Sequence, residues 1–221
     1  MMDVDETQQN PRADKGLYAT VVSAVERLYA GISASDTRAE SASKAALATL
    51  RRGAGKDPED DLVAWMQVME LVVPEIEPKY LGKRERPSQS ENAIYTALVF
   101  YALHQQGREK NMHTRNQTFA QAAGVLAHRR DSVSTKGRFD SLLTAKTRKA
   151  RDYYIRNLIS LLRAEEIPFN YGALASDLRA LESAQHRKGV LLRWGRDFSF
   201  GYSVSKYGKD SKETTNPEET K

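Results

Sequence analysis

Two groups of residues in this 221-residue chain could meet a phosphate. Gly53-Ala54-Gly55-Lys56 carries the glycines and lysine of a nucleotide-cradling loop, and it directly follows Arg51 and Arg52. Such a loop needs GxxxxGK[ST] between a strand and a helix, so that backbone amides and a helix N-terminus face the phosphates. Here the glycines follow a helical pattern, Asp57 stands where Ser or Thr is required, and no strand precedes. Gly53 reads as a helix stop. The arginines are then side-chain ligands on a helix face.

At about 100° per residue, Lys44 and Arg51 share an azimuth and Arg52 lies about 80° away, opposite Ala46, Leu47 and Leu50. Arginines in a last turn also offset the helix dipole, by roughly 0.3–1 kcal/mol, with no ligand needed. A longer stripe comes from Lys149, Arg156 and Arg163, spaced by seven. Each heptad rises about 10.5 Å, so the stripe extends over about 21 Å. That length can track a polyphosphate, whose duplex charge recurs every ~1.7 Å. Asp152 offers local pairing to Lys149 and Arg156, whereas Arg163 has no such neighbour. Arg129, Arg130, Lys136, Arg138, Lys146 and Arg148 cluster around two short connections. Contacts of that kind position a protein on phosphates without reading sequence. Tyr153, Tyr154 and Trp194 could stack on bases, although helical spacing serves a core equally well.

Catalytic sets are absent from the pattern. Glu59-Asp60-Asp61 and Glu165-Glu166 sit at helix ends, and His104, His113, His128 and His186 are scattered without an HExxH. With no cysteine, disulfides, thiolate zinc sites and cysteine nucleophiles are excluded. Neither a metal nor another cofactor is expected. From His104 to Arg163, thirteen Lys/Arg face four Asp/Glu, a net of +9, while the other 161 residues carry −4. Such asymmetry is the footprint of an anionic partner.

The elements that must position these cations are helices. Leu17, Val21, Val25 and Leu28 mark one helix over 15–32, and a second spans about 36–52. Asp57 as N-cap and Pro58 at N1 predict a third, ending before Pro74. A proline-rich connection covers 74–89, then a nearly apolar, central helix runs over 90–106. Shorter helices follow near 118–128 and 135–146, a long one over 147–164, and two more near 171–182 and 187–198. The chain is therefore expected to be all-α, with about eight to nine helices in two small bundles, 16–106 and a basic 107–202. Residues 1–15 and 203–221 lack periodicity and are expected to be disordered tails. The acidic N-terminus is unlike a targeting peptide and the longest apolar run is too short for a bilayer, so a cytoplasmic protein is expected. The segment "FAQAAGVLAHRRDSVSTKGRF" also imitates a helix-turn-helix, with Gly124 near the turn. That alternative makes the chain a free-standing DNA-binding regulator.

Five stretches carry a wider likeness: "LATLRRGAGKDPED" (47–60), "ENAIYTALVFYALHQQG" (91–107), "GRFDSLLTA" (137–145), "LISLLRAEEIPFNYGALASDLRAL" (158–181) and "LRWGRDF" (192–198). In this order and spacing the chain resembles the CasB family, the small subunit of type I-E CRISPR Cascade complexes, over about 17–200. The resemblance implies a non-catalytic helical protein that packs as a pair in an RNA-guided antiviral complex. Its implied partners are the backbone and large subunits, the guide RNA and the target DNA. It implies basic faces holding target and displaced strands during R-loop formation, where base pairing reads the sequence. The family's early arginine pair corresponds to Arg51 and Arg52, its arginine before Phe-x-x-Leu-Leu to Arg138, and its basic position in the long helix to Arg156. Lys44, Arg129, Arg130, Lys146, Lys149 and Arg163 are added from charge geometry.

Overall fold

A helix with apolar residues on every side can only be central, and Gln89–Gln105 is that helix. Ser88 and Glu91 close a reciprocal capping box at its start, the Ser88 hydroxyl accepting from the Glu91 N–H at 3.1 Å. The computed structural model describes residues 15–213 except 74, 84, 131 and 132, with side chains between 16 and 205. Among the described residues the helices are α1 (Lys15–Ile32), α2 (Thr37–Arg52), α3 (Leu62–Val72), α4 (Gln89–Gln105), α5 (Phe119–Arg129), α6 (Val133–Thr144), α7 (Arg148–Ala164), α8 (Tyr171–Glu182) and α9 (Ala184–Glu213). No strand occurs among them, only an isolated bridge between His113 and Phe169. The all-α expectation holds.

α4 touches α1, α2, α3, α7 and α8, and α1 also lies along α8. Packing therefore runs across the expected division at 106–107, and the buried residues of both halves form one continuous cluster. At its centre Nδ1 of His104 lies 2.9 Å from the Tyr171 hydroxyl, and Nδ1 of His113 accepts from the Tyr171 N–H at 3.2 Å. Burial pushes the His104 imidazole down to about 3 and that of His113 down to about 4.

Two expected elements are corrected, and one feature of the helix-turn-helix alternative falls. Asp57 makes no side-chain cap; Pro58–Asp60 is a single 3₁₀ turn, and α3 begins four residues later, where Asp61 accepts from the Ala64 N–H at 3.1 Å. Gly124 is not a turn residue. It lies inside α5, where an added Cβ would sit 2.1 Å from the Phe198 carbonyl oxygen, and Gly201 is equally tight against the Gln121 carbonyl. The two glycines let α5 and α9 approach backbone to backbone. The second correction is at the C-terminal end: α9 runs to Glu213, through residues 203–213 that were expected to be disordered, while its contacts with α5 among the described residues reach Tyr202. Ser, Gly and Val in "SFGYSVSK" are poor helix formers, so helicity there depends on the packing against α5. The remaining tail residues, 1–14 and 214–221, lie outside the described residues.

Candidate nucleic-acid interface

The expected cations fall into two groups. The first lies where the end of α2 and the loop after it meet α7. Gly55, at φ +85°, packs so closely that a Cβ would lie 2.6 Å from Nη1 of Arg156. Arg156 is half-buried, its guanidinium is 5.9 Å from the Tyr153 ring, and no described carboxylate pairs with it. Two turns earlier on α7, Lys149 is 82% exposed and lies 3.4 Å from Asp57. The sequence offered Asp152 to Lys149 and Arg156, but Asp152 faces Arg148 instead, at 3.9 Å. Burial raises the Asp152 carboxyl to about 6, against the pull of Arg148 and Arg151.

Lys44, Arg51 and Arg52 line the outer face of α2 as expected. Lys44 pairs with Glu40 at 2.5 Å, and Arg52 is exposed, donating to the Thr49 hydroxyl at 3.1 Å. Arg51 is half-buried, and desolvation lowers its pKa. Lys44 and Arg51 share a groove of about 800 Å³ with Gln106 and Arg108. Arg163 closes on the same region, donating to Gln106 at 2.9 Å and to the Leu103 carbonyl at 3.5 Å. The seam around α2, the end of α4 and α7 thus has two parts, Lys44, Arg51 and Arg163 about Gln106 and Lys149 with Arg156 about the loop 53–57; Arg52 lines neither cavity.

The second group stands apart on α5, α6 and the following connection. Arg130 pairs with Glu165 at 2.9 Å, and Arg129 donates to the Glu165 carbonyl at 3.5 Å. Arg138 is exposed on α6, with Ser134 3.4 Å from its Nη1, and Lys146 is exposed between α6 and α7. Arg129 and Arg130 are therefore engaged at the C-terminus of α7, and Arg138 and Lys146 are the open members.

One assignment fails on packing. Trp194 cannot stack on a base: it is fully buried, and its indole N–H donates to Asp177 at 2.6 Å. Arg148 is bound to Asp57, and Lys136 pairs with Asp140 at 2.7 Å. Sequence reasoning missed Lys56, paired with Asp61 at 2.8 Å, and Arg108, paired with Glu166 at 2.8 Å. Lys56 was visible as part of the loop, but nothing local showed that it joins the rim beside α7. Arg151 was also unforeseen as a buried ion, 2.7 Å from Glu182. Among the described residues no group of three or more His, Asp or Glu could hold a metal, and no helix is long and apolar enough to cross a membrane.

Among the described residues the arrangement offers cations on α2, α5, α6 and α7 and on the connections beside them. Known proteins share the fold. The model of the CRISPR-associated protein Cse2 family matches residues 46–198. CasB from Thermobifida fusca is 28% identical, with a TM-score of 0.66 over 83% of this chain and 97% of that one. A Cse2-family protein of Thermus thermophilus is 24% identical, with a TM-score of 0.57 over 80% and 96%. A chain of a CRISPR RNA-guided surveillance complex is 19% identical, with a TM-score of 0.64 over 87% and 99%. Among curated proteins none matches the chain. The matched segment contains α3 to α8 entire, with the end of α2 and all but one of the sequence-derived cations, so the chain belongs to the Cse2, or CasB, family of CRISPR-associated proteins.

Proposed function

We propose that this protein is the small, non-catalytic subunit of a type I-E Cascade complex in the cytoplasm. It packs there as a pair against the backbone and large subunits. Its seam and the open residues of α6 hold target and displaced DNA strands while the guide RNA pairs. The observation that carries this is Arg156: within a Cse2-family fold it is a half-buried guanidinium that no described carboxylate neutralises. A cation held so is suited to an external phosphate. Because strand exchange is nearly balanced in energy, a few backbone contacts can tip it. The experiment is a pull-down of the tagged protein from its host. Several further proteins and a short guide RNA are expected; recovery of the protein alone, free of RNA, would overturn the reading.

A further inference from the structure

Between the loop 53–57 and the first turns of α7 lies a pocket of about 210 Å³. Tyr95, Val99 and Phe100 of α4 form its floor, and all three are buried. Its mouth carries Lys56, Lys149 and Arg156, with Tyr153 beside them and Asp57 and Asp152 opposing. The volume is below the roughly 300–1,000 Å³ of ordinary small-molecule sites, so it suits one ring system and not a whole cofactor.

The geometry points to a receptacle for a single unpaired nucleobase, seated on Tyr95, Val99 and Phe100, with its flanking phosphate on Arg156 and Lys149. Three observations converge on that ligand. An apolar floor under a cationic mouth is complementary to a base attached to a phosphate, since the base is apolar on its faces and the phosphate is charged. Tyr153 is 52% exposed on an otherwise charged surface and stands 5.9 Å from Arg156, an arrangement that stacks on a base face. The pocket also opens on the α7 stripe, so a strand lying along Lys149 and Arg156 passes its mouth. Gly55 matters to the shape: its positive φ turns the loop back at the one place where a side chain would strike Arg156. A duplex cannot present such a base without unpairing it, so the pocket selects single strands.

The inference rests on the nucleic-acid reading above, and the test separates the two. Binding of the full-length protein is measured for an unpaired DNA strand and for a strand of equal length built of abasic sites, over a range of salt. The intact strand is expected to bind about tenfold tighter, the size of one stacked base. Thr96→Phe fills the pocket from α4, and Tyr153→Ala removes the exposed ring. Each is expected to bring the ratio close to one while leaving abasic-strand affinity and salt slope unchanged. Equal wild-type binding of both strands, with a normal salt slope, would overturn the base pocket and leave the phosphate reading standing. So would a tenfold ratio that either folded variant preserves. Failure of both strands to bind would overturn both. Tyr153 lies on the surface, so that variant serves even if Thr96→Phe does not fold.

Discussion

Gly55 and Arg156, 101 positions apart in sequence, meet so closely that the glycine has no room for a methyl group: a Cβ would stand 2.6 Å from Nη1. A loop after α2 thereby seats a guanidinium of α7. Gly55→Ala should be felt twice. The positive φ costs an L-residue about 1–2 kcal/mol, visible as a lower urea midpoint. Nucleic-acid affinity should fall as well, although no charge has changed. A variant with a lowered midpoint and wild-type affinity would show that Arg156 does not need this seat.

Removing open cations should act uniformly. Arg51→Ala, Arg138→Ala and Arg156→Ala are each expected to weaken binding about equally across unrelated oligonucleotides and to flatten the salt slope by about one unit. Arg130→Ala should change the slope less, because Glu165 already neutralises that side chain at 2.9 Å. Salt titrations on several sequences would check this; a loss confined to one sequence would mean base contact instead.

Asp57 restrains two of the cations, binding Arg148 and lying 3.4 Å from Lys149. Asp57→Ala is expected to tighten nucleic-acid binding several-fold at low salt and to steepen its salt dependence, since a competing anion is gone. The side chain is partly exposed, so the accompanying loss of stability should stay below about 1 kcal/mol. Weaker binding would show that Asp57 orients Lys149 and does not mask it.

The close approach of α5 and α9 should be intolerant. Gly124→Ala places a carbon against the Phe198 carbonyl, and Gly201→Ala against that of Gln121. Each is expected to cost about 1–3 kcal/mol or more by urea denaturation. The double variant should cost less than the sum, because one separation of the helices relieves both clashes.

Acid should loosen the core. His104 and His113 have folded values of about 3 and about 4, below their ordinary 6.5. The unfolded chain therefore takes up protons first: stability is full above about pH 6.5 and is lost as pH falls towards those values, by about 1.4 kcal/mol per pH unit and histidine. Asp152, raised to about 6, acts oppositely between that value and its ordinary 3.8 and offsets part of the loss. The net expectation is on the order of 2 kcal/mol less stability at pH 5 than at pH 7. Urea midpoints at the two pH values measure it, and His104→Gln should remove about half of the histidine share. A flat profile would contradict neutral, buried imidazoles.

Helical periodicity made most of the fold legible. α1, α4, α7 and α8 lie within a residue or so of their expected bounds, because each pairs a clear apolar pattern with a capping or breaking residue. The misses share one cause, contacts between residues distant in sequence. Asp57 looked like an N-cap because Pro58 follows it, but its carboxylate is drawn to Arg148, 91 positions away. Gly124 suggested a turn only in the helix-turn-helix alternative; its missing side chain makes room for α9. At the interface, the sequence located cations by azimuth and could not say which were already paired. The sequence offered Asp152 to Arg156 and no partner to Arg130; in the structure Asp152 faces Arg148, and it is Arg130 that pairs with a carboxylate, Glu165. Arg151, one turn from Arg148, is buried against Glu182 and serves the core.

The two ends of α7 are both tied down, Arg148 to Asp57 at the first residue and Glu165 to Arg130 just past the last. Its cations stand at intervals set by the helical rise, about 10.5 Å per heptad, which the backbone hydrogen bonds hold. When a chain of phosphates settles on it, all the adjustment must come from the nucleic acid. Mechanical compliance then becomes a selection criterion in its own right: a limber single strand can bring its charges to the three stations, while a stiff duplex keeps its own pitch. The helix would sort its partners by how readily they bend.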